Sequence, residues 1–128
     1  MPYVHVKLNV KQSDELRQKI VNRVLENTTE ILNKKSEVTS VLVEFMPQNS
    51  WSIGSENLPT FYLEIKITKG TNTKEQKANY LKKCYTDFSE ILGDITPASY
   101  SVIHEVDADS WGYEGLTQEY RYIQSKTV

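Results

Sequence analysis

Two periods alternate along the chain. Val4, Val6, Leu8 and Val10 fall at every second position, with His5, Lys7 and Asn9 between them, the pattern of a half-buried strand. From Leu16 the spacing changes. Leu16, Ile20, Val21, Val24, Leu25, Ile31 and Leu32 form a helical stripe. Ser13 ahead of Asp14 and Glu15 supplies an N-cap with acids in the first turn, and Asn33-Lys34-Lys35 closes the helix with positive charge. Period two returns at Val41, Val43 and Phe45, and a turn-rich stretch from Pro47 to Gly54 carries Trp51.

The same order then runs again. Tyr62 to Ile67 reads as a strand, and Thr73 with Gln76 fits a capping box. Leu81, Cys84, Tyr85, Phe88, Ile91 and Leu92 form a second helical stripe that stops at Gly93. Tyr100 to Val106 reads as a fourth strand, followed by turn-rich Ser110 to Gly115. Adding 60 to a residue number carries Ser13 to Thr73, Ile31-Leu32 to Ile91-Leu92, and Ser50-Trp51 to Ser110-Trp111. The chain is therefore expected to be one domain over 1–128, built from pseudo-repeat halves 2–58 and 61–117. A crossover helix in each half lets its two strands pair in parallel. The fold class is α+β: two tandem β-α-β units forming a four-stranded mixed sheet with two helices on one face. Both strand faces carry apolar residues, so self-association is expected to cover the open one.

Composition narrows the function. The chain has 128 residues and a formal charge of -2, which gives no electrostatic footprint for nucleic acid or a membrane surface. No apolar run reaches membrane length and no signal-peptide core follows Met1, so a cytoplasmic location is expected. Cys84 is the single cysteine and lies among apolar neighbours, where a buried structural thiol is expected. His5 and His104 are the two histidines, neither with a second ligand at metal spacing. No metal and no cofactor are expected.

The chemistry concentrates at Pro2. Methionine aminopeptidases take Met from small second residues, and removal of Met1 leaves Pro2 with a secondary amine. That amine is rigid and would sit at the start of a strand. An α-amino group titrates near 8, roughly, and burial or a neighbouring cation lowers that value toward working pH.

Pro2, the strand after it, Ser13-Asp14-Glu15, the amphipathic helix, the Val-rich strand and Trp51-Ser52-Ile53-Gly54 resemble the 4-oxalocrotonate tautomerase family of the tautomerase superfamily. Ile67-Thr68-Lys69-Gly70 and Val106-Asp107-Ala108-Asp109-Ser110-Trp111 are similar to the later half of malonate semialdehyde decarboxylase relatives, and macrophage migration inhibitory factor has a comparable two-unit length. The resemblance covers residues 2 to about 117. It implies a homotrimer with Pro2 as the catalytic acid–base group. The family's arginines are replaced: Gln12 beside Lys11, Ser40 or Val41, and Lys69 and Thr71 stand in their places. A carboxylate clamp of planar guanidinium forks is therefore not expected.

These readings yield a set of expected site residues. Pro2 is the catalytic group, with Lys69, Tyr100, Trp111, Trp51 and Lys11 as substrate-binding residues and Glu37 as a further acid. The expected function is a tautomerase that moves a proton on a small 2-keto or enol carboxylic acid. Two alternatives remain at this level. One is a lyase, hydratase or decarboxylase, with Glu37 or Glu105 handling water. The other is a non-enzymatic trimeric binding protein.

Overall fold

The first strand, β1 (Tyr3–Leu8), sits inside a sheet of order β2-β1-β3-β4. The other elements are α1 (Asp14–Glu30), β2 (Ser40–Phe45), β3 (Phe61–Thr68), α2 (Lys74–Leu92) and β4 (Tyr100–Val106). The structure, a computed structural model, describes residues 1–126. Residues 127 and 128, the end of the expected domain, lie outside the described residues. β1 pairs in parallel with β2, β3 pairs in parallel with β4, and β1 meets β3 antiparallel at the centre. The two β-α-β units expected from the pattern are thus present, related by a pseudo-twofold axis between β1 and β3.

Local chemistry sets the helix ends. Ser13 Oγ accepts the Leu16 amide at 3.2 Å, and Thr73 and Gln76 complete a reciprocal capping box. Gly93, at φ +86°, ends the last turn of α2 in a conformation that a Cβ disfavours. α1 ends differently: Asn33 takes the left-handed conformation at φ 59°, and the Lys34 amide reaches back to the Thr28 carbonyl at 3.2 Å. That bond closes a wide turn over the helix end and satisfies one of its last carbonyls.

The strand alternation becomes the core. Val4, Val6, Leu8, Phe61, Leu63, Ile65 and Ile67 are fully buried against Ile20, Val24, Leu32, Tyr80, Cys84 and Phe88 of the helical layer. Val10, expected on the same face, lies beyond the end of β1 and is half-buried. Between the helices the buried Asp87 carboxylate accepts from Lys83 at 2.7 Å and from Arg23 and Asn27 at 2.9 Å. Burial pushes its pKa up, but Lys83, Asn27 and Arg23 reverse that and leave it below the usual carboxylate value. Cys84 is buried as expected, and burial pushes its thiol up to about 12, which makes it a poor nucleophile.

The open sheet face is more polar than the sequence pattern implies. His5 bonds Glu44, and Tyr62 Oη donates to Glu64 at 3.1 Å. Three elements add to the expected set. β5 (Gly112–Tyr113) and β6 (Leu116–Thr117) form a small hairpin, and α3 (Gln118–Ser125) follows it. No helix among the described residues is long and apolar enough to cross a membrane.

Candidate active site

The N-terminus is held where the sheet ends. The Ser40 amide donates to the Pro2 carbonyl at 3.1 Å, extending the β1–β2 ladder by one residue. Because β3 and β4 also finish at this end, the loop after β3 and the loop after β4 flank the N-terminus. Pro2 is buried and Met1 is half-buried. Met1 opens into a cleft of about 400 Å³ bordered by Lys34, Thr68, Lys69, Thr71, Gln118 and Tyr122.

Each wall has a local cause. The left-handed turn at Asn33 redirects the chain out of α1 and sends Lys34 toward the sheet end. Lys34 Nζ then donates to Thr71 Oγ1 at 2.8 Å, and Asn72 Nδ2 donates to the Leu32 carbonyl at 2.9 Å. These two bonds stitch the loop after β3 to the exit of α1. On the other side, Trp111 Nε1 donates to the Met1 carbonyl at 2.8 Å, and Gln118 Nε2 donates to the Met1 sulfur at 3.1 Å.

The electrostatics are one-sided. Two lysines and the N-terminal amine border the cleft, and among the described residues no Asp or Glu lines it. Burial first, and Lys34 second, hold the Met1 amine below its usual value. Burial likewise lowers Lys34. Lys69 is more exposed and lies 3.9 Å from Asp107. The Thr68 hydroxyl, also at the cleft, is buried without a hydrogen-bond partner. Such a site suits a small anion with further polar atoms.

Of the residues expected from the sequence, Pro2, Lys69 and Trp111 come together. Trp51, Lys11 and Tyr100 lie at the opposite end of the sheet within one chain. Tyr100 pairs with Tyr62, itself opposite Lys7, which puts it about 17 Å along the strands from Pro2. Trp51 borders a smaller cavity with Lys7, Met46 and Tyr62, and Lys11 borders another with Phe45 and Gln48. Glu37 is exposed in the one-turn helix Ser36–Val38 and does not border the Pro2 cleft. Glu105 is engaged by Lys77, whose hydrogen bond chiefly holds its carboxyl below the usual value.

Sequence reasoning missed Lys34, Gln118 and Tyr122, and named Thr71 only as standing in the place of an arginine. For Lys34 a signal existed. Adding 60 to Asn33 gives Gly93, so the left-handed residues that follow the two helices are equivalent, and the next residues are Lys34 and Asp94.

Comparison with known proteins agrees with this fold. No curated protein matches the sequence. Several solved structures share the fold. A wild-type fused 4-OT described as an asymmetric trimer is 17% identical, covers 94% of this chain and 98% of its own, and gives a TM-score of 0.82. A native fused 4-OT is 18% identical, with 92% and 97% covered and a TM-score of 0.80. A macrophage migration inhibitory factor-like protein from Entamoeba histolytica is 16% identical, with 91% and 97% covered and a TM-score of 0.78. The model of the tautomerase enzyme family matches twice, over residues 2–59 and 62–119. Nearly the whole chain is accounted for by those two matches, one per β-α-β unit, and the chain belongs to the tautomerase family in its fused, two-unit form.

Proposed function

We propose that this chain is a tautomerase acting on a small 2-keto or enol carboxylic acid, with the amine of Pro2, freed by removal of Met1, as the acid–base group. The observation that carries the reading is the cationic cleft at the N-terminus. Burial and Lys34 already lower the amine of Met1 there. The Pro2 nitrogen is the next backbone nitrogen along from that amine, at the same end of the sheet, so a cationic, partly buried setting of the same kind is proposed for it. An amine with lowered proton affinity removes a proton near neutral pH and gives it back.

The walls fit the remaining tasks. Lys34 and Lys69 hold the substrate carboxylate. Trp111 Nε1, which donates to the Met1 carbonyl, donates instead to the ketone or enol oxygen and stabilises charge that develops on it. The free amine takes the enol proton and returns it to the adjacent carbon; the reverse sequence gives the enol. A lyase would need a carboxylate to handle water; Glu37 does not border the cleft and Glu105 is engaged by Lys77, so proton transfer is favoured.

A homotrimer is part of the proposal. Four fused 4-OT structures similar to this chain are described as trimers, and Tyr100, Trp51 and Lys11 could reach a Pro2 cleft only from a neighbouring subunit. The proposed location is the cytoplasm, where methionine aminopeptidases act on new chains.

A protein similar to this chain, 14% identical at a TM-score of 0.85, has been crystallised after inactivation by 2-oxo-3-pentynoate. The same reagent tests the proposal, because an electron-poor alkyne adds to a free amine. The expected result is one adduct on Pro2, loss of proton exchange at C3 of a 2-oxo acid, and protection by that acid. The activity is also expected to vanish in Pro2→Ala. Equal activity in Pro2→Ala, or none in wild-type protein shown by intact mass to lack Met1, refutes the tautomerase reading. The second outcome moves the assignment to a binding protein.

A further inference from the structure

Met1 occupies the space that a substrate must enter, and its contacts map that space. Its carbonyl carbon is bonded to the Pro2 nitrogen, and its carbonyl oxygen accepts from Trp111 Nε1 at 2.8 Å. Its side chain runs along the cleft to a sulfur that accepts from Gln118 Nε2 at 3.1 Å. Both donors are fixed by structure that does not depend on Met1. The Gln118 amide donates to the Trp111 carbonyl at 2.8 Å, and the Glu119 amide donates to the Ala108 carbonyl at 3.0 Å. These bonds tie the start of α3 to the loop that carries Trp111, and Thr117 caps the helix through the Tyr120 amide at 3.0 Å. Among the described residues the Gln118 carboxamide has one hydrogen-bond partner, the Met1 sulfur. Removal of Met1 therefore leaves two positioned donors facing the cleft, one beside the reacting amine and one further along.

We propose that Gln118 is a specificity-determining residue of this site, donating to an acceptor atom on the substrate tail placed where the Met1 sulfur lies. Resting on the tautomerase reading, the proposal narrows the substrate class to linear 2-oxo acids with an ether, thioether or comparable acceptor four bonds from the ketone carbon. The Trp111 donor takes the ketone oxygen and the two lysines take the carboxylate; the ketone carbon stands off from the Pro2 nitrogen, to which the Met1 carbon is bonded, and the tail runs along the methionine path to bring its acceptor within reach of Gln118. A tail without the acceptor leaves the Gln118 donor unpaired in a partly buried place. A site built around a polar partner discriminates by that penalty.

The test uses wild-type protein whose loss of Met1 is confirmed by intact mass, with two isosteric probes, 5-methoxy-2-oxopentanoate and 2-oxoheptanoate. They differ by an oxygen against a methylene at the Gln118 position. Quenching of tryptophan fluorescence reads affinity, and loss of C3 protons in deuterated water reads proton transfer. The ether is expected to bind about fivefold more tightly, the scale of one neutral hydrogen bond. Gln118→Leu removes the donor that 2-oxoheptanoate leaves unpaired, so it is expected to erase the preference, with 2-oxoheptanoate binding at least as tightly as it does to the wild type. Gln118→Glu keeps the shape and removes the donor, and it too must lose the preference. Equal affinities in the wild type overturn the proposal, as does a ratio unchanged in both variants. An ether preference without C3 exchange leaves Gln118 as a ligand-reading residue and refutes the tautomerase reading. C3 exchange without the preference does the reverse.

Discussion

Lys34 offers a sharp test of the cleft because it has two separable jobs there. Lys34→Met keeps the length of the side chain and removes its charge. The fold should tolerate the change, since the contact broken is an exposed hydrogen bond to Thr71 and the helix exit depends on backbone bonds of Asn33 and Lys34. The first effect is on substrate binding. A hydrogen bond to a charged group contributes about 1.5–3 kcal/mol, and Lys34 is half-buried, so solvent screening favours the lower end. At about 1.4 kcal/mol per tenfold, kcat/KM should fall about 10- to 30-fold. The second effect is on the amine. Lys34 contributes, after burial, to holding the N-terminal amine down, so its loss raises that pKa. The step that removes a C3 proton needs the free amine, and the acidic limb of the kcat/KM profile must therefore move to higher pH. The assay is exchange of C3 protons of a 2-oxo acid followed across pH, with Lys35→Met as control. Lys35 is exposed and outside the cleft. A fall in kcat/KM with the acidic limb unmoved, or moved downward, would refute the electrostatic part of the argument. Equal losses in both variants would show only a general effect of net charge.

Two further predictions concern the scaffold. Asp87→Ala removes a buried acceptor and leaves the buried Asn27 amide unpaired, while Arg23 and Lys83 turn to solvent, so it should destabilise the fold by about 1–3 kcal/mol, measured as a drop in the denaturant midpoint. Because the Asp87 carboxyl is depressed in the folded state, its contribution is full above its unfolded pKa of about 4. That contribution is lost as pH falls through the folded value, and the gap between wild type and variant should narrow there. Asn33→Ala should cost about 1 kcal/mol at the left-handed helix exit, whereas Asn33→Gly should be neutral or better. A thermal melt showing equal effects would mean that φ at this position is not what stops α1.

What the sequence shows and what it hides divide along contact distance. Ser13, Thr73 with Gln76, and Gly93 act on their own helices, and the alternation of Val4, Val6 and Leu8 records one buried face. All are visible in short windows. Lys34 reads locally as positive charge at a helix end, yet its place in the cleft depends on Thr71, far along the chain. Pro2 and the Trp pair are also visible, but only the antiparallel meeting of β1 and β3 decides that Trp111, and not Trp51, lies at the Pro2 end. α3 escapes a periodicity reading because it has eight residues, and its exposed Tyr120, Tyr122 and Ile123 mark no buried stripe. Gln118 belongs to the cleft only through the hairpin before it.

The pseudo-twofold axis between β1 and β3 carries a consequence for how such a site is specialised. If the two units were separate identical chains, every substitution at one end of the sheet would appear at the other, and each end would be a compromise. Covalent joining breaks that tie. Here the residue after the left-handed position that follows one helix is Lys34 and after the other Asp94, while Pro2 at one end corresponds to Tyr62, locked within the chain, at the other. Opposite charges now occupy equivalent positions, and the far end is free to become a surface for assembly while the near end keeps its cationic chemistry.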